Sequence, residues 1–362
     1  MRIGLVRRGY SASGGAEAYL FRFANVAHAA GHEPVLICGP EWPRDLWPHE
    51  SVVVAGKTPE DFADLLADRR ESGGWDVLFS LERVSACDVY RAGDGVHAAW
   101  LERRAQFEPA WRGWFRKFQR KHREIMELEC GLFTGGARRV IANSQMVKDE
   151  IVRHYGTHAE HIHVIHNGVP THAADASARE NIRAELGIAP THYVAVFAGT
   201  GWDRKGLRHA IAAMNALKIP ATLLVAGRGG RSEQRALPAS DRVRFLGALP
   251  GERLRAVLGA ADVFILPTIY DPFSNACIEA LAAGLPVITT TANGFAEIIE
   301  NGVEGNAVAP GDIRALTDAL TMWSDRKRRE NVRPRLLEKA THFSVEENLA
   351  RTLEVITAAR AV

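Results

Sequence analysis

Short apolar runs alternate with longer segments of helical periodicity along almost the whole chain. This alternation is typical of parallel β-strands joined by crossover helices, and it predicts doubly wound α/β sheets. In the first half, the runs that predict strands span residues 3–6, 34–38, 52–54, 77–79, 139–144 and 163–166. In the second half they span residues 193–198, 222–227, 243–247, 262–266 and 287–290.

A stretch rich in polar and small residues, from residue 170 to about residue 179, separates the two groups of strands. A chain of 362 residues is long enough for two domains, each with its own core. We therefore expect an N-terminal domain over residues 1–172 and a C-terminal domain over residues 173–344. Helices that close the chain are predicted at residues 313–323, 326–341 and 345–359.

Composition and charge add little to this picture. Hydrophobic residues make up 46% of the chain and charged residues 24%, with a formal net charge of +2, as in ordinary globular proteins. The four cysteines lack metal-type spacing, so we expect buried free thiols and a reducing compartment. The chain starts in a predicted strand without the apolar core of a secretion signal, and no apolar run reaches the ~20 residues that span a bilayer. We therefore expect a cytoplasmic protein.

Three histidines near the end of the first half could suggest a metal ion: His161, His163 and His166. Strand alternation would place the first two on one face and the third off it. Three converging ligands are therefore not predicted, and we expect no metal site.

The stretch from Asp271 to Glu279 is the most informative for function. Apolar runs on either side predict a strand, a loop, a helix and a second strand. Ser274 or Asn275 is expected to cap this helix, and Gly284, which precedes a proline, to end it. A helix N-terminus attracts anions, and carboxylates accept hydrogen bonds from sugar hydroxyls. The stretch therefore predicts a nucleotide-sugar pocket.

Two further loops at the carboxyl ends of predicted strands carry candidate binding residues. Arg204 and Lys205 lie on a glycine-bounded loop, where two cations would stabilise a leaving diphosphate or simply form an exposed turn. Gly14 and Gly15 open a helix, either as a tight turn or as a place where the backbone approaches a ligand. They do not form the Gly-x-Gly-x-x-Gly fingerprint, which argues against an NAD-dependent enzyme.

The polar, glycine-rich stretch at residues 88–97 is predicted to be a loop. Asp94 and His97 within it are candidates to contact a reacting sugar or its acceptor. The alternative is that Asp94 caps the next helix and that His97 lies on the surface.

A long helical region is predicted from residue 98 to about residue 129. Between Trp111 and Arg123, aromatic residues recur at helical spacing among basic ones. Three interpretations remain open: this segment packs on the domain core, docks on an anionic membrane surface, or stacks on nucleic-acid bases. No recognised nucleic-acid module accompanies it, so we expect no nucleic-acid partner.

These motifs together resemble those of the retaining glycosyltransferases of family 4, which have the GT-B fold. The resemblance rests on Asp271, seven further residues and Glu279, followed by a helix that ends Ala-Ala-Gly-Leu-Pro-Val. The pair Gly14 and Gly15 and the Arg-Lys-Gly that starts at Arg204 match in order. The first acidic position is usually glutamate in that family, so Asp271 is one methylene shorter.

The resemblance implies two Rossmann-like domains that face a central cleft, with a last helix, at about residues 345–362, that crosses back to the N-terminal domain. It also implies retaining, metal-independent transfer of a hexose from a nucleotide-sugar donor, without a cofactor. The cation pair would stabilise the leaving diphosphate, and the glycine pair would lie near it.

Individual roles follow from the same resemblance. Glu279 would hold the ribose hydroxyls and Asp271 the hexose hydroxyls. The backbone N–H groups at Phe273, Ser274 and Asn275 would hold sugar or phosphate oxygens.

Among subfamilies, the chain is most similar to the lipopolysaccharide-core glucosyltransferases. The similarity lies in Asp-Val-Tyr at residues 88–90, the basic aromatic segment, and Leu-Pro-Val-Ile-Thr-Thr at residues 285–290. It implies UDP-glucose as donor, a saccharide or lipid-linked acceptor, and a peripheral position on the inner face of the plasma membrane. Two other functions stay open, a GT-B nucleotide-sugar epimerase and a non-catalytic membrane-surface protein with a degenerate pocket.

Overall fold

The structure, a computed structural model, describes residues 1–11, 15–69, 73–108, 120–170 and 176–360. It divides into two units, Met1–His166 with Glu346–Val362, and Asn167–Val345. The predicted domain boundary at residue 172 falls among residues 171–175, which lie outside the described part of the chain.

Each unit is built on one parallel sheet. The strands are β1 (Arg2–Val6), β2 (Glu33–Cys38), β3 (Ser51–Val53), β4 (Val77–Ser80), β5 (Cys87–Ala92), β6 (Ala137–Ala142), β7 (Ile162–Val164), β8 (Tyr193–Ala198), β9 (Ala221–Ala226), β10 (Val243–Gly247), β11 (Val263–Ile265), β12 (Val287–Thr290) and β13 (Gly305–Val308). The described strands of the first sheet follow the order β3-β2-β1-β4-β5-β6-β7, and those of the second the order β10-β9-β8-β11-β12-β13. These are the two doubly wound sheets that the sequence predicts.

Helices connect the strands. They are α1 (Gly15–Ala29), α2 (Pro59–Asp68), α3 (His97–Ala105), α4 (Arg120–Gly131), α5 (Gln145–Tyr155), α6 (Ala176–Glu185), α7 (Trp202–Lys205), α8 (Leu207–Ala216), α9 (Arg231–Arg235), α10 (Gly251–Ala260), α11 (Asn275–Ala282), α12 (Ile313–Met322), α13 (Arg326–Thr341) and α14 (Val345–Arg360). The central strands β4, β8 and β9 are buried along their whole length, because helices cover both faces of such sheets.

The last helix, α14, packs in the first unit although it follows the second unit in sequence. The hydroxyl of Tyr19 on α1 donates to Thr352 Oγ1 at 3.0 Å. Arg351 Nη2 donates to the carbonyl of Val164 at 3.1 Å, at the end of β7. The predicted return of the final helix to the N-terminal domain is confirmed.

The two points at which the chain enters and leaves the second unit lie side by side within that unit. The N–H of Val169 donates to the carbonyl of Phe343 at 2.8 Å. Gly168 approaches Ser344 so closely that a Cβ atom would collide with its carbonyl oxygen, so only glycine fits there.

The prediction of a loop at residues 88–97 is wrong for its first part, because Cys87–Ala92 forms β5 between β4 and β6. The polar residues of this strand have partners that the local sequence does not reveal. Asp88 Oδ2 accepts the N–H of Leu78 at 2.8 Å, and the guanidinium of Arg91 lies 4.2 Å from the ring centroid of Tyr19.

The predicted helical region is confirmed at its two ends, as α3 and α4, but α3 ends at Ala105 and residues 106–108 form a turn, so the region is not one continuous helix. The aromatic residues of the basic segment, from Trp111 onwards, fall among residues 109–119, outside the described residues, so the three interpretations stay predictions. Among the residues that the structure describes, no helix is long and apolar enough to cross a membrane.

The four cysteines are free thiols. Cys38, Cys87 and Cys277 are buried as expected, and burial raises the pKa of Cys277 to about 12. The expectation is wrong for Cys130, which is exposed near the end of α4.

We therefore predict that a disulfide reagent such as DTNB modifies one thiol of the native protein rapidly, and that Cys130→Ser removes this phase. Reactivity requires an accessible thiolate, which the three buried residues do not offer. Denatured wild type should titrate all four thiols and denatured Cys130→Ser three. Rapid modification of two or more thiols in the native protein would contradict the described burial.

Candidate active site

In the second unit, the predicted cations lie on a short helix that ends against a neighbouring loop. The helix α7 is flanked by Gly201 and Gly206, whose φ values are 70° and 75°. A Cβ atom on Gly206 would collide with the carbonyl oxygen of Pro267, just after β11. Glycine is required here both for its left-handed backbone and for this close approach.

Arg204 and Lys205 are joined to the loop that carries Asp271. The ammonium of Lys205 forms an ion pair with Asp271, and both side chains are nearly buried. The carbonyl of Arg204 accepts the N–H of Ile269 at 2.9 Å, and its Nη1 donates to the carbonyl of Tyr270 at 3.1 Å. The cations and the carboxylate that the sequence places 66 residues apart are therefore neighbours.

The predicted helix after this loop is present as α11. Ser274 is its N-cap, and its Oγ accepts the N–H of Cys277 at 3.4 Å. Gly284, with φ 76°, follows its last turn, as predicted. Glu279 lies on α11, one turn after its start, and is partly exposed.

Two asparagines, which sequence analysis missed, hold the start of α11. Asn293 is buried; its Oδ1 accepts the N–H of Ser274 at 3.2 Å, and its Nδ2 donates to Thr289 Oγ1 at 2.9 Å. The Ser274 N–H, predicted to hold a sugar or phosphate oxygen, is thus engaged within the unit in this structure.

Asn167 also forms hydrogen bonds to residues of this loop. Its Nδ2 donates to the carbonyl of Phe273 at 3.2 Å and to Asn275 Oδ1 at 2.7 Å. Nothing in the local sequence around Asn167 signals this contact, because its partners are more than 100 residues away.

In the first unit, Asp94 and His97 follow β5. Asp94 is largely exposed, with Oδ2 3.6 Å from Nη1 of Arg83. The N-cap of α3 is Val96, so the alternative in which Asp94 caps this helix is wrong. The N–H of His97 donates to the carboxylate of Glu129, and its Nε2 lies 2.9 Å from Nδ1 of His122.

Gly15 is the first residue of α1 and is exposed, while Gly14 lies outside the described residues. A charged group that sequence analysis missed lies near this helix start. Arg7, directly after β1, pairs with Glu17 in the first turn of α1 at 3.0 Å and with Glu82 at 3.2 Å.

Of the three histidines considered as metal ligands, His163 contacts an arginine. His163 Nε2 lies 3.2 Å from Nη1 of Arg139, and burial and this guanidinium lower the pKa of His163. Among the described residues, no group of three or more His, Cys, Asp or Glu side chains could hold a metal ion.

Two parallel-sheet units, one with a cation loop beside an acidic loop and a capped helix, define a protein of the GT-B class. Family models extend this assignment over most of the chain. Residues 13–173 match the model of Glycosyltransferase Family 4, and residues 178–341 match that of Glycosyl transferases group 1. The chain belongs to the group 1 glycosyltransferases with the GT-B fold.

Solved structures share this fold. WaaG, a glycosyltransferase involved in lipopolysaccharide biosynthesis, is similar with a TM-score of 0.81 at 20% identity, over 98% of this chain and 99% of that one. HepE from Anabaena, solved in complex with UDP and glucose, is similar with a TM-score of 0.76 at 21% identity, over 99% of this chain and 100% of that one.

Sequence relatives match over shorter stretches. An uncharacterized glycosyltransferase of Methanocaldococcus jannaschii is 30% identical over 47% of this chain and 47% of its own length. A D-inositol 3-phosphate glycosyltransferase of Nocardia farcinica is 30% identical over 62% of this chain and 53% of its own. The chain thus spans about half the length of the curated relatives it matches.

We predict that Gly206→Ala destabilises the protein more than Gly187→Ala does. Both glycines have positive φ, which costs an alanine about 1–2 kcal/mol, but Gly187 faces open space. At Gly206 the collision with Pro267 adds about 1–3 kcal/mol. Chemical denaturation of both variants measures the difference, and equal losses would contradict the described contact.

Proposed function

We propose that this chain is a retaining glycosyltransferase that transfers a hexose from a nucleoside diphosphate sugar to a hydroxyl of a saccharide or lipid-linked acceptor. The observation that carries the proposal is the attachment of Arg204 and Lys205, at the end of α7, to the Asp271 loop, directly before the capped start of α11. Cations, a carboxylate and a helix N-terminus together suit a ligand that is both anionic and rich in hydroxyls.

Lys205 is suited to stabilise the leaving diphosphate while it remains paired. An ammonium has three N–H donors, and Asp271 needs one of them in the ion pair. The remaining donors and the guanidinium of Arg204 would offset the charge that grows on the diphosphate as its bond to the sugar breaks. Because the ion pair already holds the ammonium in place, little reorganisation is needed during the reaction.

In the proposed reaction, the acceptor oxygen forms a bond to the anomeric carbon on the face from which the diphosphate departs, so configuration is retained. The departing phosphate oxygen takes the acceptor proton. Asp271 would accept hydrogen bonds from hexose hydroxyls and Glu279 from ribose hydroxyls. The N–H groups of Phe273 and Asn275, and that of Ser274 if it exchanges its partner Asn293, would donate to sugar or phosphate oxygens.

The first unit would serve the acceptor. Asp94 and His97 are the proposed contacts for the reacting sugar or the acceptor, and the glycine pair Gly14 and Gly15 would allow close approach of the backbone. We propose UDP-glucose as donor, following the HepE complexes, and lipopolysaccharide core as acceptor, in line with the involvement of WaaG in lipopolysaccharide biosynthesis. The segment from Trp111 to Arg123 would dock on an anionic membrane at the inner face of the plasma membrane.

We predict that Lys205→Ala and Arg204→Ala each lower kcat for sugar transfer by about 10²–10³-fold, because each removes a donor to the developing charge. The matched control is Arg208→Ala. Arg208 lies on α8, is exposed, and pairs with Asp203 of α7. The turnover of this variant should stay within about twofold of wild type. Assays use mass-resolved UDP-glucose and lipopolysaccharide core as acceptor.

Near wild-type rates in both variants would contradict the assignment of the cations. Release of an altered free donor without a glycoside would identify an epimerase. Binding to anionic vesicles without any donor turnover would identify the non-catalytic membrane protein.

We also predict that transfer continues in the presence of excess EDTA. The two cations of α7 would supply the positive charge that a bound metal ion supplies in metal-dependent catalysis. Rates with and without EDTA are compared on protein that was dialysed against the chelator. A loss of activity that Mg²⁺ or Mn²⁺ restores would contradict metal-independent transfer.

A further inference from the structure

Two residues on one face of α4 contact His97, one at its backbone N–H and the other at its ring. Glu129 and His122 are seven residues apart, which is two helical turns, so they lie on the same side of α4. Glu129 accepts the backbone N–H of His97 at 2.7 and 2.9 Å, and His122 Nδ1 meets the ring Nε2 of His97 at 2.9 Å. The backbone and the ring of His97 are thus fixed by a single helix.

Glu129 is completely buried and receives hydrogen bonds from three directions. Besides the N–H of His97, it accepts Nε of Arg83 at 2.9 Å and the hydroxyl of Tyr155 at 2.8 Å. Burial and the nearby Glu129 raise the pKa of Tyr155, which keeps its hydroxyl protonated as a donor. A buried carboxylate is tolerated only with such compensation, so its position is tightly determined.

The same network reaches Asp94. Arg83 Nη2 donates to the carbonyl of Gly95 at 3.2 Å, and Nη1 of Arg83 lies 3.6 Å from Oδ2 of Asp94. The turn from Asp94 to His97 is therefore attached to Glu129 both directly and through Arg83. Asp94 and Glu129 themselves make no hydrogen bond to each other among the described contacts.

The contact between the two histidines limits how the ring of His97 can be oriented. One ring nitrogen must donate and the other must accept, so the contact fixes the tautomer of each ring relative to the other. Because the contact also restricts the rotation of the ring, Nδ1 of His97 is held in one direction.

We propose that Glu129, assisted by Tyr155 and His122, is the positioning residue of this unit, which holds His97 and Asp94 in the geometry needed for the reacting sugar or acceptor. This inference rests on the proposed function. Glu129 itself is buried and would not touch the substrate.

A purely structural role is the alternative, and the chain offers a matched control for it. Glu150 on α5 is also buried and pairs with Arg103 near the other end of α3, at 2.6 Å. Glu150→Gln therefore removes a comparable buried carboxylate that also contacts α3, but at the end away from Asp94 and His97.

The test compares Glu129→Gln, Tyr155→Phe and Glu150→Gln by steady-state kinetics, UDP binding and thermal unfolding. Glu129→Gln is expected to lower kcat about 10–100-fold, since a small misplacement of a reacting group costs about this much, with donor KM and UDP affinity within about twofold of wild type. Tyr155→Phe keeps the carboxylate and should lower kcat about 3–10-fold. Glu150→Gln should lower the melting temperature but leave kcat within about twofold of wild type.

A second measurement does not depend on activity. The ring signals of His97 in ¹H–¹³C spectra, assigned by their absence in His97→Gln, are expected to shift in Glu129→Gln and Tyr155→Phe and to stay unchanged in Glu150→Gln. Unshifted signals, or a kcat loss no larger in Glu129→Gln than in Glu150→Gln, would overturn the positioning role. If the signals shift in Glu129→Gln and Tyr155→Phe but the wild type transfers no sugar, the proposed function alone is overturned.

Discussion

The ion pair of Lys205 and Asp271 is the interaction on which the arrangement of the second unit depends. Either charge alone would be costly at so low an exposure, and together they compensate each other. The pair links the loop after β8 to the loop after β11, which the sheet places next to each other. Without it, α11 would still be capped by Ser274, but Lys205 would lose its ion pair with the loop that precedes α11.

The first unit also contains a buried charge, but the groups that stabilise it are different. There the buried charge is the carboxylate of Glu129, and its partners are an arginine, a tyrosine and a backbone N–H rather than a lysine. In both units a buried charge fixes a turn at the carboxyl end of a strand, where ligands of doubly wound sheets bind.

Much of the fold could be predicted because the pattern of apolar residues determines which segments become buried strands. β8, β10 and α13 match the predicted bounds, and β8 is an uninterrupted apolar run that is buried along its whole length. β5 could not be recognised because Asp88 and Arg91 make it polar, and their partners lie on other elements. Local sequence gives no access to contacts of that kind.

The residues of the candidate site likewise fall into those that the sequence predicts and those that it does not. Arg204 and Lys205 follow one predicted strand and are bounded by glycines, while Asp271 and the cap Ser274 follow another, so their positions after a strand can be read from the sequence. Glu129 and Asn293 could not be found, because a glutamate on a helix and an asparagine in a turn are ordinary there. Their importance arises only from partners 32 and 19 residues away.

The path of the chain between Gly168 and Ser344 has a consequence for the integrity of the molecule. Since α14 packs in the first unit, a single break in the backbone near residue 170 leaves two fragments that are no longer covalently joined. The longer fragment nevertheless keeps its last helix bonded to Tyr19 and Val164 of the shorter one. The two fragments of a nicked chain would therefore stay associated through the contacts of α14.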